Sequence, residues 1–107
     1  MITVWKYKLE LEDYQTIKLP SLSKPLCAGI DGGGNLVLWA LVETENEETD
    51  HGFRIAGTGH EIKKPIPSYL NTVEMRIQTP RSASTLFWHV FWEGECISTL
   101  RKEIPCP

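Results

Sequence analysis

Apolar and polar residues alternate along most of the chain with the two-residue period of a β-strand. From Trp5 to Glu12 the alternation is unbroken, with Trp5, Tyr7, Leu9 and Leu11 on one side and Lys6, Lys8, Glu10 and Glu12 on the other. That pattern predicts a half-buried strand with one wet face. Residues 15–19 predict a second strand with Ile17 and Leu19 inward, closed by Pro20, which has no N–H to give a ladder. Residues 25–30, 36–42, 52–56, 69–75 and 86–92 predict five more, and residues 96–100 a final edge strand. The stretch Leu86-Phe87-Trp88-His89-Val90-Phe91-Trp92 is the most apolar, uninterrupted by charge or glycine. It reads as a central strand buried on both faces, with Leu86, Trp88, Val90 and Trp92 on one and Phe87, His89 and Phe91 on the other. Nowhere do apolar residues recur at helical spacing for three turns. The expected fold is all-β: a small antiparallel barrel or sandwich of about seven strands.

The breaks between these segments carry their own signals. Gly32-Gly33-Gly34 lies between two strand-like runs and predicts a hairpin turn, because glycine adopts positive φ at no steric cost. A phosphate-cradling glycine loop would need a helix directly after it, and Leu36 to Val42 reads as a strand. Residues 43–50 hold Glu43, Glu45, Glu47, Glu48 and Asp50 and predict a solvated loop. A calcium loop is not indicated, since the D-x-[DN]-x-[DN]-G spacing is missing. Residues 57–61, 63–67 and 78–84 read as loops, and Glu93-Gly94-Glu95 as a break. Residues 1–107 thus form one domain, with 93–107 as an extra C-terminal edge segment or tail.

At 107 residues one hydrophobic core suffices without metal or cross-links. The net charge of −3 argues against sequence-independent nucleic-acid binding, which rests on clustered Lys and Arg. No apolar run is long enough for a membrane helix, and no secretory signal is visible at the N-terminus. The expected location is the cytoplasm. Cys27, Cys96 and Cys106 are odd in number and widely spaced, which suggests neither a disulfide framework nor a zinc knuckle.

Candidate chemistry concentrates in Gly57-Thr58-Gly59-His60-Glu61. Alternate glycines let a backbone bend and turn its N–H groups toward an anion. Thr58 adds a hydroxyl, His60 a group that titrates near neutrality, and Arg54 and Lys63 are the nearby cations. His89, alone among large rings, is the second candidate. The ordinary reading of such a residue is a neutral core histidine. If it lines a pocket, adjacent rings offer stacking surfaces for a base. His51, His60 and His89 lack the spacing of a zinc site. No nucleophile elbow, H-E-x-x-H or Walker loop is present, so catalysis is not indicated.

The blocks V-W-K-Y-K-L-E-L, D-Y-Q-T-I-K-L-P, L-V-L-W-A-L-V-E, F-R-I-A-G-T-G-H-E-I and F-W-H-V-F, in that order over residues 4–92, resemble a family of small phage and prophage proteins. The resemblance implies a compact β-rich fold and a phage or prophage origin, and carries over no catalytic residues. Small phage proteins outside the virion and replication sets often act against host defence. The functional expectation is a non-enzymatic binding protein, without cofactor, that antagonises bacterial immunity in the host cytoplasm. It would sequester a small anionic nucleotide of the cyclic or ADP-ribose type. The expected ligand-binding residues are Arg54, Thr58, Gly59, His60, Lys63, Trp88, His89 and Trp92, in a homo-oligomer whose pocket is completed at the subunit interface. Two alternatives stand beside it. One is direct inhibition of a host defence protein through a surface such as the acidic segment. The other is an enzyme that cleaves the signal with His60 and Glu61.

Overall fold

The structure, a computed structural model, describes residues 1–96 of the chain. Seven strands follow one another: β1 (Ile2–Lys8), β2 (Tyr14–Pro20), β3 (Lys24–Ile30), β4 (Leu36–Glu43), β5 (Glu48–Gly57), β6 (Ser68–Gln78) and β7 (Ala83–Cys96). They pair antiparallel into a three-stranded sheet, β1-β4-β3, and a four-stranded sheet, β2-β5-β7-β6. The all-β expectation holds, in the form of a sandwich. Leu36, Leu38, Ala40 and Val42 point from β4 into the space between the sheets. There they meet Leu19, Phe53, Ile55, Val73 and Val90 from the larger sheet. The period-2 alternation of both central strands is what places these side chains in one layer.

Along one side the sheets are joined by Asn71 of β6. Its amide accepts from Ala28 N (2.8 Å) and donates to Ala28 O (2.8 Å), replacing a ladder pair between β6 and β3. The glycine run forms the expected β3–β4 hairpin. Asp31 Oδ1 accepts from the N–H groups of Gly33 (2.9 Å) and Asn35 (3.0 Å), and Gly34 has φ +82°.

Four expectations need correction. The first strand ends at Lys8: Gln15 binds both N–H and C=O of Glu10 (2.9 and 2.7 Å), so the chain there turns back, burying Leu9 and exposing Leu11. The acidic segment is not one loop, because Glu43 ends β4 and Glu48 and Asp50 begin β5. Only 44–47 connect the two strands, and Asp50, opposite Lys18 on β2, is ion-paired to it at 2.6 Å. Third, β7 is central but not buried on both faces. Toward its start it runs past the sandwich, and Phe87 is 47% exposed. Fourth, β7 continues through Glu93-Gly94-Glu95, with Gly94 at φ +93° beside a bulge at Gly52/Phe53. Cys96 is disulfide-bonded, a cross-link the spacing of the cysteines did not suggest, whereas Cys27 is an exposed thiol. The rest of the expected edge segment, residues 97–107, lies outside the described residues.

The carboxylate of Glu95 secures the β2–β3 turn to β7, accepting from Ser21 Oγ (2.8 Å) and Leu22 N (2.8 Å). Beneath it His51 is completely buried, stacked on Trp92, with Nε2 3.2 Å from Thr49 Oγ1 and 3.8 Å from Glu95 Oε1. Burial holds the imidazole below its ordinary value of 6.5, against the opposing pull of Glu95 and Asp50. The folded state therefore resists a proton that the unfolded chain accepts. Stability is complete above pH 6.5 and falls as pH drops from there toward the folded value. Urea midpoints measured between pH 7.5 and 5 are expected to decline, and the decline to be shallower in His51→Gln. A parallel decline in both proteins would contradict this. Losses below the ordinary carboxylate value of 4.5 belong instead to groups such as Glu95. Burial pushes its carboxyl up, but the hydrogen bonds from Leu22 N, Ser21 and Thr49 together outweigh this and hold it below that value.

Candidate functional site

Most of the residues singled out from the sequence gather at the end of the larger sheet where β5 leads into the 58–67 connection, with Arg54 and His89 on its outer face. Gly57 to His60 forms a tight turn closed by His60 N donating to Gly57 O (3.1 Å), with Gly59 at φ +89°. Positive φ at the third position is the reason glycine stands there. Gly57 N donates in turn to His60 Nδ1 (3.3 Å), and the ring packs so closely over Gly57 that a Cβ would lie 2.9 Å from Cε1. Two of the loop's N–H groups are thus engaged within the loop rather than turned toward an anion.

Arg54 is equally committed. On the outer face of β5, 8% exposed, it donates through Nε and Nη2 to the Glu93 carboxylate (2.8 and 3.2 Å) and through Nη1 to Lys63 O (2.6 Å). Its guanidinium lies 4.8 Å from the centre of the Tyr14 ring. The hydrogen bonds it donates to Glu93 raise its affinity for the proton further. Arg54 therefore pins the 58–67 connection to the sheet and has its charge balanced by Glu93. Glu93 went unnoticed in the sequence because it was read as part of a break. Carried on at period 2 from Phe91, which pairs with Arg54, it falls on Arg54's face.

His89 sits on the same face, opposite Ala56 and Thr72 in the register. Both ring nitrogens are engaged by hydroxyls: Nε2 with Thr58 Oγ1 (2.8 Å), Nδ1 with Thr72 Oγ1 (2.9 Å). Thr72 continues to Tyr69 Oη (2.6 Å). In a neutral imidazole one nitrogen donates and the other accepts, so the chain from Thr58 to Tyr69 has a direction and leaves one hydroxyl proton at one end. Trp88 and Trp92 belong to the other face, packed against the core with each Nε1 buried and without a partner among the described residues. Trp92 stacks on His51 and is not beside His89's partners. The ring exposed next to His89 is Phe87, which the sequence placed on the correct face but not in the site.

Two depressions adjoin at His60. The larger, about 420 Å³, is lined by Tyr14, Arg54, His60 and Lys63, with Asp13 and Glu61 also on its wall. The smaller, about 330 Å³, is lined by Thr58, His60, Thr85, Leu86, Phe87 and Trp88. Arg54, Thr58, His60, Lys63, His89 and the edge of Trp88 are therefore neighbours, and Trp92 is not one of them. Tyr14, Phe87, Thr72 and Tyr69 join the site from strands whose pairing a single sequence does not disclose. Among the described residues, no three His, Cys, Asp or Glu side chains are placed to hold a metal ion.

Residues 1–97 match the family model described as a domain of unknown function, DUF7352, and the chain belongs to that family. No curated protein matches the chain, and no solved structure does.

Proposed function

We propose that this DUF7352 protein is a non-enzymatic binding protein that holds a small anionic nucleotide across the two depressions that share His60. One observation carries the reading: an exposed aromatic ring, Phe87, borders one depression, and the cations Lys63 and Arg54 border the other. A nucleotide has the same two-part character, a flat base and a charged phosphate. The base stacks on Phe87 within reach of the Thr58 hydroxyl, His60 spans to the ribose or phosphate, and Lys63 meets the phosphate charge. Because Glu93 already balances Arg54, and Asp13 and Glu61 lie on the same wall, the charge suits a phosphodiester or a short diphosphate better than a triphosphate. Cyclic and ADP-ribose-type nucleotides fit that description. With the phage origin that the sequence resemblance implies, the biological role is sequestration of such a signal in the host cytoplasm, antagonising bacterial immunity. Binding rather than cleavage is favoured because His89 is held between two hydroxyls and His60 accepts from the Gly57 N–H, with no carboxylate among the described residues bonded to either ring. Inhibition of a host protein through the acidic segment has less to stand on. Glu43 is bound to the N-terminal ammonium (2.7 Å) and Asp50 to Lys18 (2.6 Å).

The test is thermal unfolding against ADP-ribose, cyclic mononucleotides and cyclic dinucleotides, followed by denaturation and chromatography of the released ligand. A ligand at about a hundred times its Kd is expected to raise Tm by about 10 °C or more in a domain of this size. It should be recovered unaltered, and Lys63→Glu should remove the shift while keeping the ligand-free Tm. No shift with any nucleotide overturns the proposal, and an altered ligand replaces it with the enzymatic reading.

A further inference from the structure

Strands β6 and β7 reach beyond the sandwich as a two-stranded arm. From Arg76 through Phe87 every residue is exposed, with Ile77 at 40%, Leu86 at 37% and Phe87 at 47%. A two-stranded ribbon wet on both faces is marginal in water. The arm also ends the larger sheet: among the described residues β6 pairs in a ladder with β7 on one side only, so the backbone N–H and C=O groups along its other edge await a partner. Natural sheets blunt such an edge with prolines, bulges or inward-pointing charges. Beyond the irregularity at Tyr69/Asn71, residues 72–78 show no bulge and no proline.

The sequence of this edge complements itself. Let a second copy of β6 run antiparallel to the first about a two-fold axis at Met75. Glu74 then lies opposite Arg76 of the second copy, and Arg76 opposite its Glu74. On the sheet's inner side Val73 faces Ile77, Met75 faces Met75, and Ile77 faces Val73. Within one chain Glu74 and Arg76 share the outer side of the strand and are ion-paired at 3.2 Å, largely exposed. Opposition across the edge doubles the number of such contacts, every one between opposite charges. Directly opposed pairs of opposite charge favour strand pairing and like charges disfavour it. A shift of one residue would set apolar side chains against charged ones on both sides. The attachment of β6 to β3 at Asn71 lies four residues before the axis and leaves this edge open.

We propose that the protein forms a two-fold homodimer by antiparallel pairing of the β6 edges centred on Met75, joining the two larger sheets into one of eight strands. The occupant of the arm's edge is a second copy of the chain. This proposal is independent of the nucleotide reading: neither Glu74 nor Arg76 lines the depressions at His60.

Sedimentation equilibrium of the full chain tests it. The wild-type protein is expected at twice the 12.2 kDa chain mass. Glu74→Arg alone and Arg76→Glu alone each place like charges opposite one another twice, and each should weaken the dimer about tenfold or more. The double variant E74R/R76E restores opposite charges and should dimerise like wild type. An equimolar mixture of the two single variants should form a heterodimer, because every opposed pair is then again of opposite sign. Both positions are exposed, so all variants should melt close to the wild-type monomer. A wild-type protein that stays monomeric at several hundred micromolar overturns the proposal. So does a dimer indifferent to the single reversals, or one that the double variant fails to restore.

Discussion

Phe53→Ala is expected to cost about 3–5 kcal/mol, the range for removing a buried ring from a well-packed interior. Phe53 has no exposed surface, and its strand lies between β2 and β7, opposite Gln15 and Trp92 in the two registers. The ring fills the layer between the sheets with Leu19, Leu38 and Val90. Because strands hold it from both sides, the backbone cannot collapse into the space left behind. Domains of this size are stable by only about 5–15 kcal/mol, so the variant loses a large part of its reserve. Phe53→Leu keeps most of the volume and should cost about 1–2 kcal/mol. Phe87→Ala, on the exposed arm, leaves no cavity and should cost less than either. Urea titrations of the three variants check the order; a Phe87→Ala loss equal to that of Phe53→Ala would contradict the assignment of faces on β7.

Arg54→Ala is expected to be the most costly polar substitution, at about 2–3 kcal/mol. Breaking a fully buried ion pair typically costs about 3–5 kcal/mol, and the Glu93 side chain keeps 17% of its surface in water, which reduces the penalty. The loss has two parts. Glu93 is left as an under-paired carboxylate, and the Lys63 carbonyl loses the donor that ties the 58–67 connection to the sheet. Arg54→Met with Glu93→Leu removes both charges and should recover much of the stability, though not the tether. A double-mutant cycle measures the coupling directly. Lys18 and Asp50, whose side chains are 66% and 44% exposed, serve as the comparison and should show little coupling. Equal coupling at the two pairs would mean that Arg54 is not the anchor described.

Local pattern made the seven strands legible, and non-local pairing hid much of the site. The two-residue period in the aromatic run sorted its residues onto two faces correctly, because a side chain's face depends only on its neighbours in sequence; which of the two faces met the core was not legible. The same rule set Trp88 on the face opposite His89, although both were expected at one ligand. It could not show that Thr58 and Thr72 would meet His89, since that depends on which strands pair and in what register. Arg54 looked like a cation for a ligand because its partner lies 39 residues away in a segment read as a break. Acidic residues 43–50 looked like a loop because charge density resembles a solvated turn. A strand end whose outer face meets a lysine carries the same residues. Strand limits shifted for a similar reason: the amide of Gln15 diverts the backbone of Glu10 from any ladder.

The central claim is that a nucleotide binds where the two depressions meet at His60. Amide and aromatic NMR spectra of the labelled protein, titrated with ADP-ribose and with a cyclic dinucleotide, test it most directly. The account predicts saturable shifts concentrated at Tyr14, Thr58, His60, Lys63 and Phe87, absent at the acidic connection 44–47, and lost in Lys63→Glu. Spectra unchanged by either ligand, or shifts confined to other surfaces, would contradict it.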